Sequence, residues 1–393
     1  MHLAETDEQQ ALRKRLRAYF ADLLTDEARE NLSRLGEDPE AFRTAVRQIG
    51  ADGWLGLGWP TEYGGQGRSA ADQFIMFDEI QRAHAPFPFV TINTVGPAIM
   101  AHGTDEQKRQ YLPGMLTGEI NFSIGYTEPG AGTDLASLST SAVRDGDEFV
   151  INGSKVYTSG ANQADYIWLA CRTDPDVKKH RGITIVVVPT DSTGFEWTPL
   201  ITVGDHMTTT TYYDDVRVPV TNVIGEVDGG WKLITSQLNH ERVALAALSG
   251  LTDRLVGDVV AWCRATPSAP GSGTMMIDVP WVQADLGKCT AILTAVRMMT
   301  WKLVNVVSDH TIGPAEASSV KVFGTEQVVE VYRILQGILG PVAHLRGDSP
   351  GAFLHGELER ANRAAQINTF GGGVNEIQRE LVATAGLGIA RGR

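Results

Sequence analysis

The amino-acid sequence predicts an α+β fold in which two helical regions flank a small β region. Apolar residues such as Leu12 and Leu16 recur at helical spacing over 1–120. Over 121–234 the pattern changes to short apolar or alternating runs separated by turn residues, which indicates a compact sheet or barrel. Helical spacing returns over 235–393 and predicts a four-helix bundle. These three ranges are the predicted domains.

Composition and charge exclude several classes of function. A formal net charge of −13 disfavours binding to nucleic acid or to an anionic membrane, because both require clustered Lys and Arg. The start of the chain lacks the basic and apolar segments of a signal peptide, and no apolar run approaches a transmembrane length. Three dispersed cysteines, Cys171, Cys263 and Cys289, indicate buried thiols in a reducing compartment. We therefore expect a cytoplasmic protein.

The N-terminal region is predicted to contain helices separated by glycine-rich loops. A capping box begins at Thr6, and Thr25 is a weaker candidate for a second helix start. Glycines interrupt the helical pattern between 53 and 67. Another helix is expected to begin after Gly103 and to end near Pro113, since proline lacks the N–H that a helix interior requires.

The middle region is predicted to form several short strands. An Asn-Gly pair at 152–153, between two apolar runs, predicts a β-hairpin with a type I′ turn. The apolar, β-branched segments 166–171 and 183–188 predict buried strands, and 211–219 alternates up to a proline.

The C-terminal region is predicted to contain two long helices and at least two others. Apolar stripes over 282–307 and 320–331 have helical spacing. The other two helices are expected after Glu241 and from Asn375.

One stretch of the middle region, N-F-S-I-G-Y-T-E-P-G-A-G-T-D, has the composition of a ligand-binding loop. Pro129 fixes its own φ, while Gly130 and Gly132 let backbone N–H groups approach a ligand without a Cβ in the way. Thr127 and Thr133 add hydroxyls on either side. Such a loop can hydrogen-bond the edge of a flat, polar heterocycle, although most glycine-rich turns bind nothing.

The run T-E-P-G-A-G-T-D within this stretch resembles the flavin-contacting signature of the acyl-CoA dehydrogenase family, T-E-P-x-A-G-[ST]-D, at every position. The order of helices, small β domain and helices is also similar to that family, so the resemblance covers nearly the whole chain. It implies the acyl-CoA dehydrogenase fold, FAD as cofactor and electron-transfer flavoprotein as electron acceptor. It also implies oxidation of an acyl-CoA thioester to the α,β-enoyl-CoA, with a carboxylate taking the α-proton.

The resemblance also implies which residues contact the flavin. The matching motif positions are four loop residues, Tyr126, Thr127, Gly132 and Thr133. Tyr157 occupies the place of an aromatic that packs on the isoalloxazine, and Ser159 that of a hydroxyl near its reactive edge. Considered by pattern alone, Tyr157 is better explained as a core aromatic on a strand.

The catalytic base is the position at which this sequence departs most from the common family pattern. Many members carry it in a motif like [YF]-E-G-T-x-[EQ]-I-Q-R, but here F-G-G-G-V-N-E-I-Q-R places Gly372, or with a slip Gly371, at the base. A minority use L-x-x-E-R-x-x-x-A, which resembles L-N-H-E-R-V-A-L-A here. This implies Glu241 as the base, with Arg242 beside it. A solvated helix pair is the alternative, and Glu376 is the second candidate carboxylate.

The triple glycine has two further interpretations. Its N–H groups precede a helix and suit an anion such as the FAD pyrophosphate. Alternatively, the missing side chains make room for a bulky acyl group. Both remain open.

Two family motifs associated with FAD binding across subunits are degraded. The window 266–274 lacks the arginine and phenylalanine of R-x-x-F-G, and 336–341 lacks most of Q-[IVL]-x-G-G-x-G. The chain is similar to one subunit type of the actinobacterial α2β2 acyl-CoA dehydrogenases that act on cholesterol side-chain CoA thioesters. The resemblance therefore implies a second acyl-CoA dehydrogenase-like subunit, and a steroid-like or branched acyl group.

Two other functions remain as alternatives. A non-catalytic partner or scaffold subunit would suit the missing C-terminal base, but the intact flavin signature and Glu241 argue against it. A flavin oxidase or monooxygenase relative would not need Glu241. Metal chemistry, a Ser-His-Asp hydrolase and a dinucleotide-binding Rossmann fold are all disfavoured, because their spacing motifs are missing.

Overall fold

The computed structural model describes residues 5–25, 28, 39–235, 249–309, 313–347 and 349–390. Within these ranges helices come first, strands follow and helices return, so the predicted fold class is confirmed. The domain limits at 120 and 234 stay predictions.

The N-terminal region packs short helices around a buried apolar core. They are α1 (Asp7–Leu23), α2 (Pro39–Ala51), α3 (Ala70–Ala83), α4 (Gly96–His102) and α5 (Asp105–Thr117). The capping box at Thr6 is confirmed: its hydroxyl accepts from the Gln9 N–H at 3.2 Å, and its own N–H donates to Gln9 Oε1 at 3.0 Å. The candidate start at Thr25 is followed by residues outside the described ranges.

The expected end of α5 near Pro113 is wrong. The helix continues to Thr117 with Pro113 in its interior, and it ends where Gly118 adopts a left-handed conformation (φ 77°). Leu112 and Met115 are buried on either side of the proline. Their packing outweighs the one hydrogen bond that proline cannot make.

The middle region forms one sheet of eight strands among the described residues. They are β1 (Phe122–Gly125), β2 (Ser141–Asp145), β3 (Glu148–Val156), β4 (Tyr166–Arg172), β5 (Ile183–Pro189), β6 (Phe195–Ile201), β7 (Met207–Pro219) and β8 (Val223–Ile224). The order is β6-β7-β3-β2-β4-β5-β8, with β1 added in parallel to β4. The predicted strands at 166–171, 183–188 and 211–219 are confirmed.

The hairpin predicted at Asn152-Gly153 is wrong, because both residues lie inside β3. The pairing of β3 with β7 shifts register there, as in a β-bulge. The Asn152 side chain holds the bulge by donating to Asp215 Oδ1 at 2.9 Å and accepting from the Asp215 N–H at 3.0 Å. Gly153 has φ 145°, and a Cβ there would lie 2.7 Å from Thr140 Oγ1. The glycine therefore serves a close backbone approach instead of a turn.

The C-terminal region is helical, as predicted. Its helices are α6 (Ser249–Ala265), α7 (Pro280–Asp309), α8 (Pro314–Leu339), α9 (Glu357–Ala365) and α10 (Asn375–Leu381). The two long stripes fall on α7 and α8, and the last helix begins at Asn375, so these predictions are confirmed. The helix expected after Glu241 corresponds to α6, which is described from Ser249, whereas 236–248, including Glu241, lie outside the described residues.

One buried cluster joins all three regions. Phe74 of α3 packs edge-on against Trp301 of α7 at 5.3 Å between ring centroids, and Trp168 of β4 belongs to the same cluster. The three cysteines are buried, as predicted, and burial raises the pKa of Cys171 to about 12. None of the described helices has the length and apolar content needed to cross a bilayer.

Candidate functional site

The glycine-containing loop that follows β1 is a closed turn with an exposed far side. The backbones of Glu128 and Ala131 exchange two hydrogen bonds of 3.1 Å, which close the turn. Gly132 and Thr133 beyond it are exposed. A Cβ built on Gly130 or Gly132 would meet no atom of the described residues within 4 Å. This backbone therefore borders open space into which a ligand can fit.

Strands β3 and β4 hold the first residues of this loop in place. The Tyr126 hydroxyl accepts a hydrogen bond from Nε1 of the buried Trp168 at 3.0 Å. The Tyr126 carbonyl accepts from Lys155 Nζ at 3.0 Å, and the Thr127 carbonyl accepts from the Val156 N–H at 2.8 Å. Tyr126 and Thr127 are thus tied to β3 and β4.

Tyr157 follows the end of β3 and points away from the core. It has φ 61°, an uncommon conformation for a bulky residue, and 59% of it is exposed. The next residue, Thr158, holds this conformation: its N–H donates to the Thr209 carbonyl at 2.9 Å, and Thr209 Oγ1 donates to the Thr158 carbonyl at 2.6 Å. The interpretation of Tyr157 as a core aromatic is therefore wrong.

Ser159 lies two residues further on and is also exposed. Its hydroxyl is 3.0 Å from Thr208 Oγ1, and its carbonyl accepts from Ser123 Oγ of β1 at 2.9 Å. The Val156 bond to Thr127 and the Ser123 bond to Ser159 hold the segment after β3 beside β1 and its loop. These contacts hold Tyr126 and Thr127 beside Tyr157 and Ser159 without assigning their ligand. The other two predicted residues, Gly132 and Thr133, lie on the exposed far side of the same loop.

A buried ion pair between Glu128 and Lys155, which was not predicted from the sequence, lies behind this surface. Lys155 Nζ is 2.8 Å from Glu128 Oε1, and the side chains are 0% and 5% exposed, respectively. Burial by itself raises the pKa of Glu128, but Lys155 and Thr140 lower it to about 2. Burial lowers the pKa of Lys155, against the attraction of Glu128. A lysine at an inward-facing strand position was the signal in the sequence.

A surface pocket of about 360 Å³ adjoins the far end of the loop. Its lining includes Ser137, Ser139, Arg172 and Lys179. Arg172 donates to backbone carbonyls, including that of Lys179 at 2.7 Å, whereas Lys179 Nζ contacts Asp134 Oδ2 at 2.6 Å. The two serine hydroxyls of the lining are likewise paired, Ser137 Oγ with Asp134 and Ser139 Oγ with Glu128.

The candidate base, Glu241, and its neighbour Arg242 lie outside the described residues. The second candidate, Glu376, is exposed in the first turn of α10. The positions aligned with the common family base, Gly371 and Gly372, have no side chain to supply a carboxylate.

The triple-glycine segment, 371–373, is held by a side chain of α8. The buried Lys321 ammonium donates to the Thr369 carbonyl at 3.2 Å, to the Gly373 carbonyl at 2.6 Å and to Asn375 Oδ1 at 2.7 Å. Asn375 in turn donates to Thr325 Oγ1 at 3.1 Å. In the described ranges, no group of three or more His, Cys, Asp or Glu side chains is placed to hold a metal ion.

Comparison with known protein families matches three consecutive segments. They are "Acyl-CoA dehydrogenase, N-terminal domain" over 6–119, "middle domain" over 123–216 and "C-terminal domain" over 228–387. Two similar relatives are from Mycobacterium tuberculosis. The chain is 51% identical to acyl-CoA dehydrogenase FadE26 and 44% identical to FadE29, in each case over 100% of this chain and 99% of the relative.

Two solved structures are similar over their whole length. One is described as "Tcur3481-Tcur3483 steroid ACAD", with 56% identity, a TM-score of 0.95 and complete coverage of both chains. The other is the ChsE4-ChsE5 complex from Mycobacterium tuberculosis, with 51% identity, a TM-score of 0.94 and again complete coverage of both chains. Relatives of this chain thus form heteromeric complexes.

Proposed function

Since the chain belongs to the acyl-CoA dehydrogenase family, we propose that it is one subunit of a heteromeric enzyme that oxidises an acyl-CoA thioester to the α,β-enoyl-CoA with FAD. The observation that carries this proposal is the open backbone at Gly130 and Gly132. It lies in an anchored loop whose neighbour, Tyr157, turns its ring outward.

The residues around this loop fit a flavin. Thr127, Gly132 and Thr133 would offer backbone and hydroxyl groups to the polar edge of the ring system, and the exposed Tyr157 ring would pack on its face. Ser159 would place a hydroxyl near the reactive edge. When bound, FAD accepts the hydride that leaves the β-carbon of the acyl group.

The pocket beside Arg172 would hold phosphate groups of CoA. Its two cations now contact a backbone carbonyl (Arg172) and the Asp134 carboxylate (Lys179), and a phosphate would have to replace these acceptors. Charge-assisted hydrogen bonds from guanidinium and ammonium groups bind phosphate oxygens well.

Glu241 would act as the base that removes the α-proton. The α C–H bond breaks, its proton moves to the Glu241 carboxylate, and its electron pair forms the new C=C bond as the hydride leaves the β-carbon. Donors to the thioester carbonyl and a desolvated carboxylate are what this step needs. Two arguments support Glu241: the L-x-x-E-R motif around it and the glycines at the other base position.

The proposed acyl group is bulky, similar to a steroid side chain or branched. Its support is the similarity to chains named as a steroid ACAD. The proposed partner is a second acyl-CoA dehydrogenase-like chain that supplies the FAD contacts missing at 266–274 and 336–341. Electron-transfer flavoprotein is the proposed electron acceptor.

The test is to purify the chain alone and co-expressed with any acyl-CoA dehydrogenase-like chain encoded beside it. We expect a colourless chain alone and a yellow complex with half as many flavins as chains. A steroid side-chain CoA thioester should bleach the flavin under anaerobic conditions faster than a straight-chain acyl-CoA does. In the same complex, Glu241→Gln should retain flavin and lose bleaching, because the amide keeps the size but not the base.

Each contrary outcome removes a different part of the proposal. Full flavin on the isolated chain would overturn the heteromeric assembly. No flavin in either preparation would overturn the enzyme and favour a scaffold subunit. Rapid oxygen uptake on adding substrate would favour a flavin oxidase, and normal bleaching by Glu241→Gln would move the base to Glu376 or to the partner.

A further inference from the structure

We infer that Glu128 and Lys155 are a positioning pair that holds the loop between β1 and β2 in the conformation that receives the cofactor. This inference rests on the proposed function, because it concerns the same loop. It assigns a role to two buried charged side chains that do not reach the exposed surface of the loop themselves.

Glu128 connects the two ends of the loop. Its Oε2 accepts from the Ser139 N–H at 2.7 Å and from Ser139 Oγ at 2.8 Å, while its Oε1 accepts from the Thr140 N–H at 2.8 Å. Residues 128 and 139–140 are thus joined through one carboxylate. The segment between them is a loop, and its two ends cannot separate without breaking these hydrogen bonds.

Lys155 connects the same carboxylate to the sheet. Its ammonium lies between Glu128 Oε1 at 2.8 Å and the Tyr126 carbonyl at 3.0 Å. Because Lys155 lies on β3, the residues that enter the loop take their position from the sheet. Tyr157 directly follows the last residue of this strand, Val156. The pair therefore fixes the loop relative to the strand that Tyr157 follows.

Stability alone is a poor explanation for this pair. Replacing a buried ion pair by apolar residues of similar volume is often neutral or stabilising, whereas removing one partner is costly. A fully hydrogen-bonded polar network instead rigidifies the backbone that it contacts. A binding loop that is already ordered loses less conformational freedom when its ligand arrives. The pair thus contributes to cofactor affinity by preorganisation.

The test compares three variants in the flavin-containing complex: Glu128→Gln, Lys155→Met and the double variant Glu128→Met/Lys155→Met. We expect the double variant to regain part of the melting temperature that Lys155→Met loses, since no buried charge is left unpaired although the Ser139 and Thr140 N–H groups lose their acceptor. Its FAD dissociation constant should nevertheless rise by at least about tenfold. In the flavin-free chain, amide hydrogen exchange of the segment 127–141 should be faster than in the wild type.

Glu79→Gln is the matched control. Glu79 is 1% exposed and accepts from Arg13 and Arg17, so it is a buried carboxylate of the same kind far from this loop in sequence. This variant should lose melting temperature without altering flavin affinity or exchange in 127–141.

A double variant with wild-type flavin affinity and wild-type exchange would overturn the inference and leave only a structural role. Failure of this inference can be distinguished from failure of the proposed function. If the wild-type chain binds no flavin, alone or with a partner, the proposed function fails, while hydrogen exchange in the flavin-free chain still decides whether the pair orders the loop.

Discussion

Two loops of this chain are held by a buried lysine, and the groups that the lysines contact differ. In the loop after β1, Lys155 contacts Glu128, which is a side chain of the loop itself. In the triple-glycine loop, Lys321 reaches across from α8 and donates to backbone carbonyls, including that of Gly373. One anchor is an ion pair, and the other is an ammonium that holds main-chain oxygens.

The difference follows from what each loop offers to its surroundings. A loop that contains a glutamate can place a carboxylate in the interior and leave its glycines at the surface. A run of three glycines has only N–H and C=O groups, so another element must supply the anchor, and it must be a donor if it binds the carbonyls. The loop after β1 supplies one charged partner of its own anchor, Glu128, whereas the triple-glycine loop contributes only backbone carbonyls to the Lys321 anchor.

The largest expected effect separates the two lysines. Lys155→Met leaves the Glu128 carboxylate buried and unpaired, so the free energy of unfolding should fall by about 3–5 kcal/mol. Lys321→Met leaves neutral acceptors unsatisfied, and the loss should be about 1–3 kcal/mol. Urea denaturation of both variants measures the difference. Equal losses would mean that the distinction between the two anchors has no energetic consequence.

Lowering the pH should remove the stabilisation that the Glu128–Lys155 ion pair gives to the loop after β1. The pKa of Glu128 is lowered to about 2 from 4.5, so its contribution is complete above pH 4.5 and is lost as the pH falls towards 2. The free-energy difference between the wild type and Glu128→Gln should therefore shrink by about 2–3 kcal/mol over that interval. Denaturant titrations at several pH values measure it. A difference that does not change with pH would show that the carboxylate charge is not what stabilises the loop.

The conformation of the second loop should be sensitive to a single methyl group. Gly373 has φ 106°, and a Cβ there would lie 2.7 Å from Gln378 Nε2. Gly373→Ala should lower the free energy of unfolding by about 1–3 kcal/mol. Gly337→Ala, inside α8 and without a described atom within 4 Å of the added Cβ, is the control and should raise stability by up to about 1 kcal/mol. Similar effects of the two substitutions on stability would contradict the inference that the backbone at Gly373 excludes a side chain.

The smallest expected effect on stability is that of a substitution at Gly132, in the exposed backbone of the loop after β1. Gly132→Ala adds a methyl group that no described atom approaches within 4 Å, so stability should change by less than about 0.5 kcal/mol. Flavin affinity should nevertheless fall, because the methyl group occupies the space that the cofactor needs. Thermal unfolding and flavin titration of the same preparation give both values. Unchanged affinity would place the flavin away from Gly132.

Several features were predictable because they depend on local pattern. The apolar stripes of α7 and α8 have the helical period, and the segment that forms β5 is uniformly apolar and β-branched. The signature T-E-P-G-A-G-T-D identified the loop that the structure leaves open beside Tyr157. Periodicity and turn chemistry act over a few residues, so they can be recognised without knowing what packs against them.

Other features depended on distant contacts and were predicted wrongly or not at all. Asn152-Gly153 has the composition of a turn, yet the Asp215 backbone and Thr140 make it a bulge within β3. Pro113 has the chemistry of a helix end, yet burial of its neighbours keeps it inside α5. A hydrogen-bond partner from another strand or helix contributes as much as the local preference that it opposes.

The order of helices and strands and the family were both recognisable from the amino-acid sequence, because each depends on residues that are contiguous in the chain. Three features became visible only in the folded chain: Tyr157 faces outward, Glu128 and Lys155 meet behind the loop, and Lys321 holds the triple glycine. The physical reason is that burial and ion pairing depend on distances between elements far apart in the chain, and only packing sets those distances.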